Sequence, residues 1–139
     1  MSSTICCKER SLICVTYWTR SGIPLLIDYA SKETRRLDKR TIGIDIGTRI
    51  QQAVFSKSGN ALVLINKMGS IFKITIDDMD HIRAQEIGKA RCLTRVVAKS
   101  QVLDMKVSAD ERSLKVVWVK ESGSRVVINS YRFDPQSWN

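Results

Sequence analysis

The chain has 139 residues, enough for one domain with a sizeable core. Its 43% hydrophobic and 27% charged residues exclude a disordered or fibrous polypeptide. Lysine and arginine number 23 against 14 acidic residues, a net charge of +9 that favours polyanions or an acidic protein partner.

The first ten residues carry no basic segment followed by an apolar one, so no secretory leader is read there. No apolar run approaches the ~18 residues of a membrane span. The expected location is therefore the cytoplasm or the nucleus, away from a membrane. Cys6, Cys7, Cys14 and Cys92 lack the spacing of a zinc knuckle, and His81 is the one histidine, so no metal site is expected. Reduced thiols suit that location. Adjacent Cys6 and Cys7 read as strand residues on opposite faces rather than as a redox pair.

From Glu9 the chain runs ERSLICVTYWTRSGIPLLIDYA, two β-forming runs around a Ser-Gly turn. A basic segment, Lys32 to Arg40, follows, and Arg36 to Ile46 reads as a weak further strand. Gln52 to Ser56 is a strand; KSGNALVLINKMGSIFKITI then supplies two more, separated by turns rich in residues that tolerate positive φ. Asp77 to Ala90 is read as strand, with loop and a short helix capped by Asp77 left open, and Ala84 to Thr94 is the weak fourth strand. Val102 to Ser108 opens a third series, closed by ERSLKVVWVKESGSRVVINSYRF from Glu111.

These segments are copies of one unit. Leu12, Leu62 and Leu114 start equivalent runs at spacings of 50 and 52, and Gly22, Gly69 and Gly123 mark turns at 47 and 54. A period of roughly 40–50 residues signals propeller blades or a solenoid. The approximate units are 1–46, 47–96 and 97–139. Leu62-Val63-Leu64-Ile65 and Val116-Val117-Trp118-Val119 are continuously apolar, where a sheet with one wet face would alternate. Stacked sheets cover both faces of such strands. The expected fold is all-β: antiparallel hairpin repeats forming a partial β-propeller of about three blades, with a two-layer β-sandwich as the alternative.

Ala53-Val54-Phe55-Ser56-Lys57-Ser58-Gly59-Asn60-Ala61-Leu62 resembles the blade opening of WD-repeat-type β-propellers. Leu103 to Glu111 echoes it, and Gly69 to Ile74 is similar to a third strand of such a blade. The Gly-His and Trp-Asp pairs that name that family do not occur. The resemblance implies a non-catalytic scaffold for protein–protein interaction. Closed propellers use four to eight blades, so three imply a fragment of a longer propeller or completion by association. The last copy stops after three strands, as a fragment would.

A rival reading lies at Gly43-Ile44-Asp45-Ile46-Gly47-Thr48, which resembles the first phosphate-binding turn of the actin-like ATPases. Asp45, Gly47 and Thr48 would be its nucleotide residues. A second phosphate motif and an adenosine-binding glycine pair are missing, and a blade boundary explains the same residues. Catalytic residues and cofactors are therefore not expected, and the acidic neighbours of His81 read as a solvated loop.

The remaining functional signal is basic charge. Lys32, Arg35, Arg36, Lys39 and Arg40 in one copy, and Arg83, Lys89, Arg91, Arg95 and Lys99 in the next, fall after the third strand. They are expected to form one outer stripe. A protein partner or self-association is the preferred consequence. Nucleic acid held through its phosphates is the alternative, although aromatics for stacking bases are not interleaved with the charge.

Overall fold

The computed structural model describes residues 4–7, 9–16, 22–47, 49–89, 100–120 and 126–133. Three antiparallel sheets follow one another along the chain. The first holds β1 (Thr4–Cys7), β2 (Leu12–Val15), β3 (Leu25–Asp28) and β4 (Glu33–Arg36), paired in that order. A single-turn helix, α1 (Lys39–Ile42), leads to the second sheet, made of β5 (Ile50–Phe55), β6 (Ala61–Asn66), β7 (Ser70–Asp78) and β8 (His81–Lys89). The third comprises β9 (Ser100–Val107), β10 (Ser113–Lys120) and β11 (Val126–Arg132).

The sheets stack face to face in a radial arc. All six residues of β6 are buried. Leu62 and Leu64 join Leu12, Cys14 and Leu26 in a core between the first two sheets. Val63 and Ile65, on the opposite face, join Leu114, Val116 and Trp118 in a core between the second and third. Alternate residues of one strand thus serve two cores, which is why its sequence is apolar without a break. β1 contacts β5, and β5 contacts β9, so each sheet turns its first strand toward a common axis. The fold is all-β, a three-bladed arc of a β-propeller, and the two-layer sandwich is overturned: a middle sheet covered on both faces makes three layers.

The edges depart from expectation in instructive ways. β1 is a strand of four residues that the runs and turns did not mark, and it does place Cys6 outside and Cys7 inside. The fourth strand of the first sheet is Glu33–Arg36, not Arg36 to Ile46. Within the latter range lies α1, capped by the Asp38 carboxylate, which accepts from the Thr41 amide at 3.0 Å, and ended by Gly43 at φ 86°. Ile42, Ile44 and Ile46 pack into or against the first core from helix and linker, not from a strand. Residues 77–89 form neither a helix nor a loop: β7 runs to Asp78, Met79-Asp80 turns, and β8 begins at His81. Ala84 to Lys89 lies within it, and residues 90–94 fall outside the described residues.

The repeated Glu-Arg-Ser-Leu proves to be out of structural register. In the first sheet Cys7 pairs with Leu12 at the foot of the first hairpin. The equivalent pairs are Ser56 with Ala61 and Ser108 with Ser113, where the serine amide donates to the partner carbonyl at 2.8 and 2.9 Å. Leu12 therefore corresponds to Ala61 and Ser113, one residue before Leu62 and Leu114. A one-residue offset reverses the face of every side chain. Leu12 points forward to the second sheet, whereas Leu62 and Leu114 point back toward the preceding one. Ile13 is the true counterpart of Leu62.

Candidate protein-interaction surface

The turn between β5 and β6 is held from both flanks. Arg10, in the first hairpin of the first sheet, donates through Nη1 to the Ile76 carbonyl at 2.7 Å and the Gly59 carbonyl at 3.2 Å. Gly59 has φ 80°, and a Cβ there would lie 2.8 Å from Cys7 Sγ and 2.9 Å from Arg10 Cδ, so only glycine fits the turn beneath that clasp. From the other side Glu111 accepts from Ser58 Oγ at 2.7 Å. Arg10, Gly59 and Glu111 occupy the same position in the three equivalent turns. Ser56 Oγ and Ser108 Oγ accept the amides of Ala61 and Ser113, both at 3.1 Å, which explains the serine closing each of those strands.

The linker between the first and second sheets is pinned by Asn66. Its Nδ2 donates to the Ile46 carbonyl at 2.9 Å, while Oδ1 accepts from the amides of Met68 and Ser70. Asp45 and Gly47 sit in that linker, with Asp45 Oδ1 accepting the Gly47 amide at 2.8 Å; Thr48 lies outside the described residues. Asp45 and Gly47 thus lie in the connection between two sheets, where a blade boundary was expected. A shallow cleft of about 580 Å³ opens beside it, lined by Ile44, Asp45, Met68, Phe72 and Glu86 among others.

The basic residues divide. Lys32 is in the β3–β4 turn, Arg35 and Arg36 on β4, Lys39 and Arg40 on α1, and Arg83 and Lys89 on β8; Arg91, Arg95 and Lys99 lie outside the described residues. β4 and β8 are the outermost strands of their sheets. Arg35 reaches across to Asp80 at 2.9 Å, joining the first two sheets, and Arg83 pairs with Asp77 at 3.1 Å. His81 Nδ1 lies 2.8 Å from Asp78, whose carboxylate, with Asp80 and Asp77 nearby, raises the imidazole above its usual range. Among the described residues no three ligating side chains are placed to hold a metal ion. Cys14 is a buried thiol, pushed up to about 12 by burial and so unreactive.

A three-bladed arc was expected to leave an apolar face of each end sheet in water, and the structure supplies the residues of one such face, which the sequence did not single out. On β10 the buried residues alternate: Leu114, Val116 and Trp118 face the second core, while Val117 and Val119 face away. β11 adds Val126 and Ile128 to that outward face, because Val119 pairs with Val126 and Val117 with Ile128. Ile128 is 60% exposed and Val126 57%. Lys106 and Lys115, paired across β9 and β10, and Asp104 complete the face. The expectation that both faces of Val116–Val119 are covered is thus corrected: one face is covered and one is open. β11 pairs with β10 on one side and with no described strand on the other. The signal was present in the sequence as the alternation VVINSYR, whose apolar members at 126 and 128 lie opposite the outward valines.

A family model described as a domain of unknown function, DUF7099, matches residues 1–130. No curated protein matches the chain. Among solved structures, the crystal structure of the tricorn protease is similar at TM-score 0.53 and 12% identity, covering 85% of this chain and 12% of that one. A functionally unknown protein from Desulfotomaculum acetoxidans is similar at TM-score 0.50 and 16% identity, covering 93% of this chain and 41% of that one. The β-propeller domain of Cps50 (Swd1) from Myceliophteria thermophila follows at TM-score 0.43 and 8% identity, covering 96% and 55%. The chain thus spans less than half the length of the first two.

Proposed function

The chain belongs to the DUF7099 family, and from its geometry we propose that it is a non-catalytic protein–protein interaction module built of WD-repeat-type propeller blades. The observation that carries this reading is the open face of the third sheet, where Val117, Val119, Val126 and Ile128 form one apolar patch bordered by Lys106 and Lys115. Apolar patches rimmed by charge are where soluble proteins meet partners. The lysines would add a salt-sensitive attraction for acidic groups around the apolar centre. Phosphate binding draws less support, since Arg35 and Arg83, two cations it would need, are already paired with Asp80 and Asp77.

A photoreactive residue in place of Ile128 tests the reading in the expressing cell. Crosslinks to protein are expected at 128 and not at Ala109, an exposed position in the β9–β10 turn. No protein adduct at 128, with nucleic acid retained on the purified chain and released by salt, would replace this reading with the nucleic-acid one.

A further inference from the structure

We infer that the partner is a second copy of this chain, and that two copies join head to tail into a six-bladed ring. This rests on the interaction-module reading and names its occupant.

Each sheet has two unlike faces. The forward face, toward the next sheet, carries Cys7, Leu12 and Leu26 in the first sheet and Val63 and Ile65 in the second. The rearward face carries Leu62 and Leu64 in the second and Leu114 and Trp118 in the third. Both junctions within the chain press a forward face onto a rearward one. What remains at the ends is one of each: the forward face of the third sheet, described above, and the rearward face of the first. Pairing across β1 to β3 puts Ile13, Val15, Leu25 and Ile27 on the latter, all half-buried with no described sheet over them. Ile13 and Val15 are the counterparts of Leu62 and Leu64, which are fully buried where a preceding sheet exists. The unfilled junction is therefore of the same kind as the two that are filled. A two-fold axis through the forward face would set forward against forward, a pairing that neither internal junction uses, whereas a two-fold axis along the centre of the ring sets each forward face on a rearward one.

Charge on the forward face does not bar the stacking. Beside Asp104 and Arg132, that face carries Lys115 and Lys106, which stand where the second sheet has Val63 and Val54. The second sheet also carries a lysine on its forward face, Lys73, and its ammonium lies 5.1 Å from the centroid of the Phe133 ring of the third sheet. A long stem that lies along apolar surface and ends over a ring is thus already part of one junction.

Area and number favour closure. The forward face of the third sheet, three described strands by about five residues, covers roughly 240 Å² at the usual strand spacing and rise. A single junction then buries about 500 Å², in the range of crystal contacts, whereas a closed pair fills two junctions and buries about 1,000 Å², the area a specific interface has to reach. Three blades from each of two copies make six, inside the range of four to eight that closes a propeller.

Light scattering of the purified chain is expected to give twice the 15.8 kDa chain mass. A photoreactive residue at 128 should join peptides of β2 or β3 in the other copy, identified by mixing isotopically light and heavy chains. Ile128→Glu should give a monomer with an unchanged far-ultraviolet spectrum. A monomer at every concentration, a mass that grows with concentration without limit, or adducts from 128 to 128 would each overturn the ring. A monomer that crosslinks at 128 to a different protein removes the second copy and leaves the interaction module standing. A monomer without any protein adduct removes both.

Discussion

Glu111 holds a left-handed backbone, φ 59°, while its carboxylate accepts from Ser58 Oγ at 2.7 Å, so a strained residue of the third sheet is kept by a bond to the second. Gly59 takes the same conformation at the equivalent turn position, where glycine carries no such cost. Glu111→Ala should be the more harmful change, because it keeps the strain and loses the bond. Glu111→Gly loses the bond but sheds the strain, and should melt above Glu111→Ala by the equivalent of about 1 kcal/mol. Thermal melts of the two variants against the parent check the order; equal melting would mean that the turn relaxes freely.

The same carboxylate gives a dependence on pH. Hydroxyls of Ser56 and Ser58 hold Glu111 below the usual carboxylate range. A group lowered on folding contributes stability that is present above its unfolded pKa and is lost as pH falls through the folded one. The parent should therefore lose more stability than Glu111→Gln between about pH 4.5 and the folded value below it. His81 runs the other way. Its bond to Asp78 raises it, so the pair's small contribution is complete below pH 6.5 and fades as pH rises through the folded value. The imidazole resonance in a proton titration should have its midpoint above 6.5 and move back toward it in Asp78→Asn.

Two adjacent residues of β10 should behave in opposite ways. Trp118 is fully buried in the second core, and Val117 lies on the open face. Trp118→Ala is expected to cost about 3–5 kcal/mol, and Val117→Thr within about 1 kcal/mol. Chemical denaturation at a concentration that favours the monomer measures both. A large loss for Val117→Thr would mean that the face is covered.

Asp45 is committed to the Gly47 amide, and the linker around it is tied down by Asn66. Millimolar Mg-ATP is therefore expected to give no saturable heat. Asn66→Ala should destabilise the chain by about 1–3 kcal/mol, because the buried Ile46 carbonyl and Ser70 amide lose their partner. A saturable signal with ATP that Asp45→Ala abolishes would reverse the assignment.

How much of this was legible follows from where each signal originates. β6 was plain, since Leu62 to Ile65 must satisfy a core on each side and the run shows it. The hairpin turns were plain too, because Ser58-Gly59-Asn60 fits few other structures. β4 was not. Glu-Thr-Arg-Arg at the outer edge buries nothing, and charge on an edge strand looks like loop while serving to block unwanted pairing. Ile42, Ile44 and Ile46 drew the strand to the wrong place, although Asp38 and Gly43 carried the cap and stop of a short helix. The shared Glu-Arg-Ser-Leu misled through its very identity, since four equal letters do not reveal that the first hairpin closes one residue later relative to them. For the surface, counting cations put the emphasis on β4 and β8. Half of the ten lie outside the described residues or in acid pairs, and the apolar face at Val126 and Ile128 is visible only once the pairing of β10 is known.

Burial of the middle sheet on both faces also orders how the chain comes apart. Among the described residues each of the two cores joins one pair of neighbouring sheets, so the stability of a single copy is close to a sum of sheet and junction contributions along one dimension. In a single copy an end sheet is lost by breaking one junction, and the middle sheet by breaking two. Amides of β6 and β7 should therefore be the last to exchange with deuterium, with those of β1 to β4 and β9 to β11 exchanging earlier through partial openings. Unfolding would run inward from either end, and a protease would meet the outer thirds of the chain before its centre.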